Sequence, residues 1–504
     1  MPTPLCFSPS SEAGGSSYFL SFVNRPCLPC KGRIRRGLVS GIWNNSPASM
    51  NSTNDTIAAI ATAPGESAIA VVRVAGPESL TIANQIFVCK GPPPSKRPAN
   101  TFVHGRIVTD GAVADEVILL IYRAPQSYTR EDAVEIQGHG GSTAAKRILR
   151  AVLDAGARPA EAGEFTKRAF LSGRLDLLQA EAVMDLIGAR SDRAASAALE
   201  QLGGTLSRSF NEAYDAILAV AGELEATLDF SEDELSDSIM DGIGVRLRHA
   251  EQLLKELLAT WDEGHLLREG ARVVISGKPN VGKSTLLNAL LGIDRAIVTH
   301  IPGTTRDVIE EEMVIDGYQV RIVDTAGLRT TDCQIEGEGI RRARKAIQQA
   351  DVILHLIDGS AEMDAEDVEQ LKRIPTQRAV IVINKTDLGN KVDVSAFASD
   401  QSVVCTSLLQ STGLDGVRRA IIDKLGADTA VQPHAVISER HRRLVVSALK
   451  DATEAALLLE RDPAEPALSA SKLRSALESL GEATGRVYHE ELLNHVFSRF
   501  CIGK

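Results

Sequence analysis

Residues 277–284 have the composition and spacing of a loop that binds phosphate groups. The segment reads Gly-Lys-Pro-Asn-Val-Gly-Lys-Ser and follows the apolar run Val273-Val274-Ile275. Its glycines let backbone N–H groups surround phosphate oxygens at the start of a helix, where the helix dipole also favours anions. We expect Lys283 to reach the β- and γ-phosphates and Ser284 to bind Mg²⁺. The pattern predicts a nucleoside triphosphate site.

Two later motifs indicate which nucleotide is bound. Asp324-Thr325-Ala326-Gly327 ends an apolar run and fits the loop that senses Mg²⁺ and the γ-phosphate. Asn384-Lys385-Thr386-Asp387 ends another run, and the Asp387 carboxylate can accept hydrogen bonds from guanine N1–H and N2–H₂. Adenine lacks this donor pair and would leave the carboxylate unpaired, so guanine is the predicted base. Ser407 is predicted on the guanine side, although Ser407-Leu408-Leu409 departs from the usual Ser-Ala-Lys.

The residue that follows Asp324-Thr325-Ala326-Gly327 is Leu328, where Ras-like GTPases place a glutamine that orients the attacking water. An apolar side chain cannot orient water. Hydrolysis therefore needs another polar group, and another positive charge near the charge that develops between the β- and γ-phosphates.

The pattern of apolar residues changes along the chain. Between Asp55 and Arg174, short apolar runs alternate with turn residues, which predicts a compact α+β domain; the clearest runs are Ala68–Val74, Phe102–Val108, Glu116–Tyr122 and Ala133–Ile136. Residues 175–268 and 434–504 have helical periodicity. Between them, helical stretches alternate with apolar strands, which predicts a largely parallel sheet. These strands are Val273–Ile275, Val320–Val323, Val352–Ile357 and Ala379–Ile383. We therefore predict an α/β P-loop module inserted into a helical domain whose two parts pack together.

The composition limits the classes of function. The chain has 504 residues, a formal net charge of −11 and a pI near 5.5, which argues against a protein that coats nucleic acid. Its seven cysteines suggest reduced thiols, and we find no apolar run long enough to span a bilayer. Residues 1–50 carry five basic residues, one acid and many serines, as transit peptides do, although a disordered tail is the alternative. The serine content favours a chloroplast over a mitochondrion.

Several motifs, one within the P-loop module and the others outside it, resemble the MnmE/TrmE family of tRNA modification GTPases. They are Asp55–Thr62 with Pro64-Gly65, Ser127–Asp132, Glu135–Gly141, Gly163–Leu171, Gly292–Asp307 and the C-terminal Phe500-Cys501-Ile502-Gly503-Lys504. The resemblance extends from about Asp55 to Lys504. It implies an N-terminal folate-binding dimerisation domain at 51–174, a helical domain at 175–269 and 431–504, and a Ras-like G domain at 270–430, which leaves residues 1–50 as the transit peptide that their composition predicts.

The resemblance also implies how GTP is hydrolysed. Asn280 and Thr304, with the backbones of Thr299 and Ile301, would bind K⁺, and Thr305 would join Ser284 as a ligand of Mg²⁺. Glu336 would orient the water, although without the family it reads as a solvated charge. The full predicted GTP set is Asn280, Val281, Gly282, Lys283, Ser284, Thr285, Thr299, His300, Ile301, Pro302, Gly303, Thr304, Thr305, Asp324, Thr325, Ala326, Gly327, Asn384, Lys385, Asp387 and Ser407.

A second site is implied in the N-terminal domain. The positions that match the family's site for a tetrahydrofolate derivative, in its 5,10-methylene or 5-formyl form, are Arg73, Glu135, Arg174 and Lys504. Without the family, Arg73 and Glu135 read as surface charges and His139 as a satisfied loop residue. Two positions depart from the family: Ala162 replaces a proline, and Arg174 replaces a lysine of some members. Cys501 is a candidate for a role near the folate, but a cysteine there is more often a small buried hydrophobe.

By the same resemblance, the chain would form a homodimer through its N-terminal domain and a heterotetramer with an FAD-dependent protein of the MnmG/GidA type. Together they would install a carboxymethylaminomethyl group at C5 of the wobble uridine of certain tRNAs. The chain itself lacks a dinucleotide fingerprint for FAD. A GTP switch that assembles ribosomal RNA without modifying it is the alternative. A degenerate scaffold is a weaker one, because Lys283, Asp324 and Asp387 are intact.

Overall fold

The computed structural model describes residues 55–228, 237–293, 310–324, 345–394, 397, 401–426, 437–461 and 464–504. The described residues belong to one compact unit. The predicted transit peptide lies outside the described residues. Within the described ranges, no helix has the length and apolar character required to cross a membrane.

The N-terminal part of the described chain forms a mixed sheet packed against helices. The strands are β1 (Ile57–Ile60), β2 (Ile69–Ala75), β3 (Phe87–Cys89), β4 (Thr101–Thr109), β5 (Ala112–Tyr122), β6 (Ala133–His139) and β7 (Arg158–Pro159), in the order β3-β4-β5-β6-β2-β1-β7. The helices are α1 (Ser79–Ile86), α2 (Ser142–Asp154) and α3 (Glu164–Leu171). Val72, Ile136 and Ile148 belong to the core between the sheet and its helices. The α+β prediction is confirmed.

Helices then continue to residue 269. They are α4 (Leu177–Gly188), α5 (Asp192–Leu202), α6 (Thr205–Leu228), α7 (Asp237–Ala259) and α8 (Trp261–Glu269). An Asp176 capping box begins α4, because the Asp176 carboxylate accepts the Gln179 N–H and the Gln179 side chain accepts the Asp176 N–H.

The next part of the chain is an α/β module with helices on both faces of its sheet. Its strands are β8 (Ala271–Gly277), β9 (Glu310–Ile315), β10 (Tyr318–Asp324), β11 (Val352–Asp358), β12 (Ala379–Asn384) and β13 (Ser402–Cys405), in the order β13-β12-β11-β8-β10-β9. Its helices are α9 (Lys283–Ile293), α10 (Ala365–Lys372) and α11 (Leu414–Lys424). All neighbouring strands are parallel except β9 and β10. Because parallel strands end at the same edge of a sheet, the loops after β8, β11 and β12 meet there.

The chain returns to the helical domain with α12 (Glu439–Leu459), α13 (Pro466–Thr484) and α14 (Glu490–Phe497). Leu224 of α6 and Leu254 of α7 share one buried core with Val445 of α12 and Leu473 of α13. The two parts of the helical domain therefore fold together around the ends of the inserted module, as the periodicity predicted.

Candidate functional site

The P-loop lies between β8 and α9, where the sequence predicted it. Asn280 has φ of 62° and Gly282 has φ of 106°, and both are in the left-handed region. A Cβ on Gly282 would lie 2.4 Å from Asn384 Nδ2. Lys283 Nζ donates to the carbonyl oxygens of Gly277 at 2.9 Å and Lys278 at 2.6 Å. The loop thus curves around the Lys283 ammonium, while Ser284 and Thr285 are exposed at the start of α9.

The guanine motif contacts the P-loop directly. Asn384 Nδ2 donates to the Val281 carbonyl oxygen at 2.8 Å, and Asn384 Oδ1 accepts the Leu408 N–H at 3.2 Å. Ser407 Oγ donates to Asp387 Oδ1 at 2.6 Å. The structure therefore brings the P-loop, the loop after β12 and the loop after β13 together. One Asp387 oxygen is oriented by Ser407, which supports its predicted role as the acceptor for guanine.

The remaining part of the predicted nucleotide site is not described. Asp324 is the last residue of β10, which pairs with β8. The positions outside the described residues are Thr299, His300, Ile301, Pro302, Gly303, Thr304, Thr305, Thr325, Ala326, Gly327 and Glu336. The K⁺ ligands other than Asn280, the Mg²⁺ ligand Thr305 and the water-orienting role of Glu336 stay predictions. Among the described residues, no group of three or more His, Cys, Asp or Glu side chains could hold a metal ion.

A buried histidine beneath the P-loop was not identified from the sequence. His355 of β11 is 2% exposed, and its Nδ1 lies 3.0 Å from Ser276 Oγ, one residue before the P-loop. Burial lowers the pKa of His355 to about 4, and the positive charge of Lys283 acts in the same direction against the opposing effect of Asp367. A histidine inside an otherwise apolar strand was the signal that could have revealed it.

The predicted folate residues form a cluster in the N-terminal domain. Arg73 of β2 and Glu135 of β6 are opposite each other in the sheet, and Arg73 Nε donates to Glu135 Oε1 at 2.8 Å. Their side chains are 18% and 19% exposed. The Arg174 guanidinium lies 4.7 Å from the centre of the Tyr128 ring, and that of Arg73 lies 5.5 Å from it. Tyr128 thus joins two of the predicted residues, although its motif was assigned no role.

The C-terminal tail completes this cluster. Arg73 Nη1 donates to the Gly503 carbonyl oxygen at 3.3 Å, and the Phe165 N–H donates to the Lys504 carbonyl oxygen at 3.2 Å. Ile502 forms an antiparallel bridge with Ala162. The last residues of the chain therefore lie against the N-terminal sheet and place Lys504 beside the predicted folate residues.

One expectation about this region was wrong. Cys501 is exposed, not buried, because α14 ends at Phe497 and the tail leaves the helical core to bridge with Ala162. The alternative for Arg73 and Glu135 without the family, that of ordinary surface charges, does not fit either, since the two side chains pair in a mostly covered position. His139 is satisfied as expected, because its Nδ1 lies 2.7 Å from Asp115 Oδ1.

Known proteins are similar in sequence to this chain over nearly its whole length. Residues 56–174 match the family described as "GTP-binding protein TrmE N-terminus", and residues 177–501 match "MnmE helical domain". The "tRNA modification GTPase MnmE" of Moorella thermoacetica is 42% identical over 462 residues, which is 90% of this chain and 100% of the relative. The protein of the same description from Alkaliphilus metalliredigens is 40% identical over 459 residues, 90% of this chain and 99% of the relative.

These matches cover the N-terminal domain, both parts of the helical domain and the P-loop module together. They agree with a site in which a P-loop, an Asn-Lys-x-Asp loop and Ser407 converge. The chain belongs to the MnmE/TrmE family of tRNA modification GTPases and is a GTP hydrolase.

Proposed function

We propose that this protein, with an FAD-dependent partner of the MnmG/GidA type, forms the carboxymethylaminomethyl group at C5 of the wobble uridine of certain tRNAs. GTP hydrolysis stimulated by K⁺ would drive its conformational cycle, and a tetrahydrofolate derivative would supply the one-carbon unit. The observation that carries this proposal is the cluster of Arg73, Glu135 and Tyr128 closed by the C-terminal tail. A GTP switch without modifying activity has no use for such a cluster.

The chemistry of this cluster fits a folate. The Glu135 carboxylate can accept hydrogen bonds from the amide and amine donors of a pterin ring. Arg174 and Lys504 supply positive charge for the carboxylates of the folate tail, and Arg174 can bind a carboxylate through two N–H groups. The Tyr128 ring and the guanidinium groups beside it offer flat surfaces of the kind on which a planar ring stacks.

In the G domain, the proposal assigns Mg²⁺ to Ser284 and Thr305, and K⁺ to Asn280, Thr299, Ile301 and Thr304. Asn280 and Ser284 are both exposed residues of the P-loop, and this exposure supports the assignments. K⁺ would supply positive charge between the β- and γ-phosphates, and the Glu336 carboxylate would orient the attacking water in place of the glutamine that Leu328 replaces.

The exposed face of the N-terminal sheet supports homodimerisation. Phe102, Leu120, Glu135 and Arg73 lie opposite one another on β4, β5, β6 and β2 and form one row across the sheet. Phe102 is 75% exposed, and Ile118 on the same face is 40% exposed. A second copy that covers these apolar side chains would remove them from water and enclose the Arg73–Glu135 pair.

We also propose an organellar location, with the chloroplast favoured over the mitochondrion and transit cleavage before Asp55. The serine-rich, basic composition of residues 1–50 supports this proposal. Import of the full chain into isolated chloroplasts and mitochondria, followed by N-terminal sequencing, tests it. Recovery of the uncut chain outside both organelles would contradict it.

The proposed potassium-stimulated GTPase activity is tested by measuring GTP hydrolysis in matched NaCl and KCl. The chain is started near Met50 and left untagged at Lys504. We expect K⁺ to accelerate the wild type, and Asn280→Ala and Glu336→Ala to lose that gain. Glu369→Gln is the control, because Glu369 lies in an exposed surface pair with Arg373. Equal rates in both salts with a neutral Glu336→Ala would reject the potassium-dependent mechanism and favour the ribosome-assembly switch.

The proposed folate site is tested by measuring equilibrium binding of 5-formyltetrahydrofolate. Glu135→Gln removes the acceptor charge and should weaken binding at least about tenfold, because hydrogen bonds to a mostly covered carboxylate lose their charge assistance. Glu78→Gln is the control, since Glu78 is an exposed glutamate of the same domain that directly precedes α1, on the opposite side of the sheet from Glu135. Equal binding by the two variants would remove Glu135 from the site, and no binding by the wild type would reject the folate assignment.

A further inference from the structure

Asp358 is a charged residue beside the guanine motif that none of the sequence motifs includes. It is the last residue of β11 and lies opposite Asn384 of β12 in the sheet. Its Oδ2 accepts a hydrogen bond from Lys385 Nζ at 2.6 Å. The lysine of the Asn-Lys-x-Asp motif is therefore paired with a carboxylate at the end of the neighbouring strand.

The Asp358 carboxylate is fixed from its other side. Its Oδ1 accepts the Ser360 N–H at 3.0 Å and the Ser360 hydroxyl at 2.6 Å. Burial would raise the pKa of Asp358, but the hydrogen bonds from Lys385 and Ser360 outweigh it and hold the pKa below its ordinary value. Asp358 is thus ionised at neutral pH and has one orientation.

The backbone ties the same two loops together. The Gly359 N–H donates to the Asn384 carbonyl oxygen at 2.7 Å, and the Lys391 N–H donates to the Gly359 carbonyl oxygen at 2.8 Å. A Cβ on Gly359 would lie 2.9 Å from the Asn384 carbonyl oxygen. The loop after β11 is therefore a rigid support for the loop that holds Asp387.

Lys385 depends on such a support. Its φ of 64° lies in the left-handed region, and the chain then turns into a short 3₁₀ helix, Thr386–Leu388, that contains Asp387. A lysine side chain has many rotamers, and holding it in one of them costs conformational entropy. The Lys385 and Asp358 side chains are 32% and 28% exposed. A partly exposed ion pair stabilises a fold little, so the consequence of this pair is positional.

We propose that Asp358 is a positioning residue for guanine nucleotides, which holds the Lys385 ammonium at the end of β11 so that the lysine's alkyl stem lines the base site beside Asp387. The stem of a lysine can cover a flat apolar surface while its charged end is bound elsewhere. This inference rests on the assignment of Asn384–Asp387 as the guanine loop.

The test distinguishes binding of the guanine base from binding of the phosphates. Asp358→Asn should raise the Kd of GDP and of GTP by the same factor, about tenfold, because both share the base. Tripolyphosphate has no base, so its inhibition constant for GTP hydrolysis should be unchanged. The kcat at saturating GTP should stay within about twofold of the wild-type value. Glu369→Gln should match the wild type in every assay. Equal weakening of GDP and tripolyphosphate would mean general damage to the site and would overturn the inference.

A double-mutant cycle keeps the inference testable if Asp358→Asn also lowers the thermal midpoint. Lys385→Met should weaken GDP binding, and adding Asp358→Asn to it should cause no further loss, because Asp358 acts only through Lys385. Additive losses would overturn the role of Asp358 while leaving the guanine loop intact. GDP binding that is unaffected by Lys385→Met and by Asp387→Ala would instead reject the assignment of the guanine loop itself.

Discussion

His355 is a neutral side chain at neutral pH, enclosed in the central strand β11 and hydrogen-bonded to Ser276. Its pKa falls from 6.5 to about 4 on folding, chiefly because burial opposes the charged form. The unfolded chain would bind a proton at this residue near pH 6.5. The folded G domain excludes that proton, and so the stability of the P-loop region depends on pH.

The sign of this dependence is fixed by the lowered pKa. Between pH 6.5 and about 4 the unfolded state binds more protons, so the free energy of unfolding falls as the pH falls, by at most about 3 kcal/mol. We expect His355→Gln to be less stable at pH 7 but to lose less stability on acidification. The measurement is urea unfolding of both proteins across this range. Exposed His104, changed to Gln, is the control, and parallel slopes for wild type and His355→Gln would contradict the prediction.

Among the elements, α4 is joined to helices α12 and α13 by a mostly covered ion network, in which His441 is fully buried and Glu181 is 18% exposed. Glu181 accepts hydrogen bonds from Arg440 Nε at 2.7 Å and His441 Nε2 at 2.5 Å, while His441 Nδ1 accepts the Ser438 N–H. This pattern fixes His441 as the neutral tautomer that donates to Glu181. Arg440 also donates to the Glu482 and Ala483 carbonyl oxygens near the end of α13, so one guanidinium holds three helices together.

Glu181→Gln should lower the free energy of unfolding of the helical domain by about 2 kcal/mol, because Arg440 would keep its charge without a counter-ion. Glu225→Gln is the matched control: it also removes a carboxylate that pairs with an arginine of the other helical part, Arg474, but both side chains are exposed. Its cost should be below about 1 kcal/mol. Chemical denaturation of the three proteins gives both values, and equal losses would show that the covered Glu181 network stabilises the fold no more than an exposed ion pair does.

The strands of the α/β module differ in how well the sequence pattern predicts them. The buried strands β8, β11 and β12 were predicted, because parallel central strands are apolar along their length. The edge strand β9 was not, since it begins Glu310-Glu311-Glu312 and pairs with β10 alone. At the sites, local motifs identified the P-loop, but the pairing of Arg73 with Glu135 depends on sheet register, and the buried His355 lacked a motif. Contacts between distant segments leave no local pattern.

At the scale of the whole molecule, the two candidate sites differ in how much of the chain they need. The described nucleotide residues lie within the inserted module, whereas the predicted folate cluster joins Arg73 to Gly503, 430 positions later. Phe497 and Phe500 pack with Phe170 and Leu177 and so hold the end of the chain on the junction between α3 and α4. The N-terminal cluster is therefore complete only after the last residues of the chain have folded.

Gly503 is the residue at which this dependence can be tested. Its φ is 95°, and a Cβ there would lie 2.5 Å from the Ile60 carbonyl oxygen, so Gly503→Ala should displace the tail and the hydrogen bond that Arg73 donates to it. We expect 5-formyltetrahydrofolate binding to weaken at least about tenfold, while the kcat of GTP hydrolysis stays within about twofold. Ile502→Ala is the control, because Ile502 is 64% exposed. If Gly503→Ala binds the folate as the wild type does, the tail has no part in the site; if it loses GTP hydrolysis as well, the two sites are not independent.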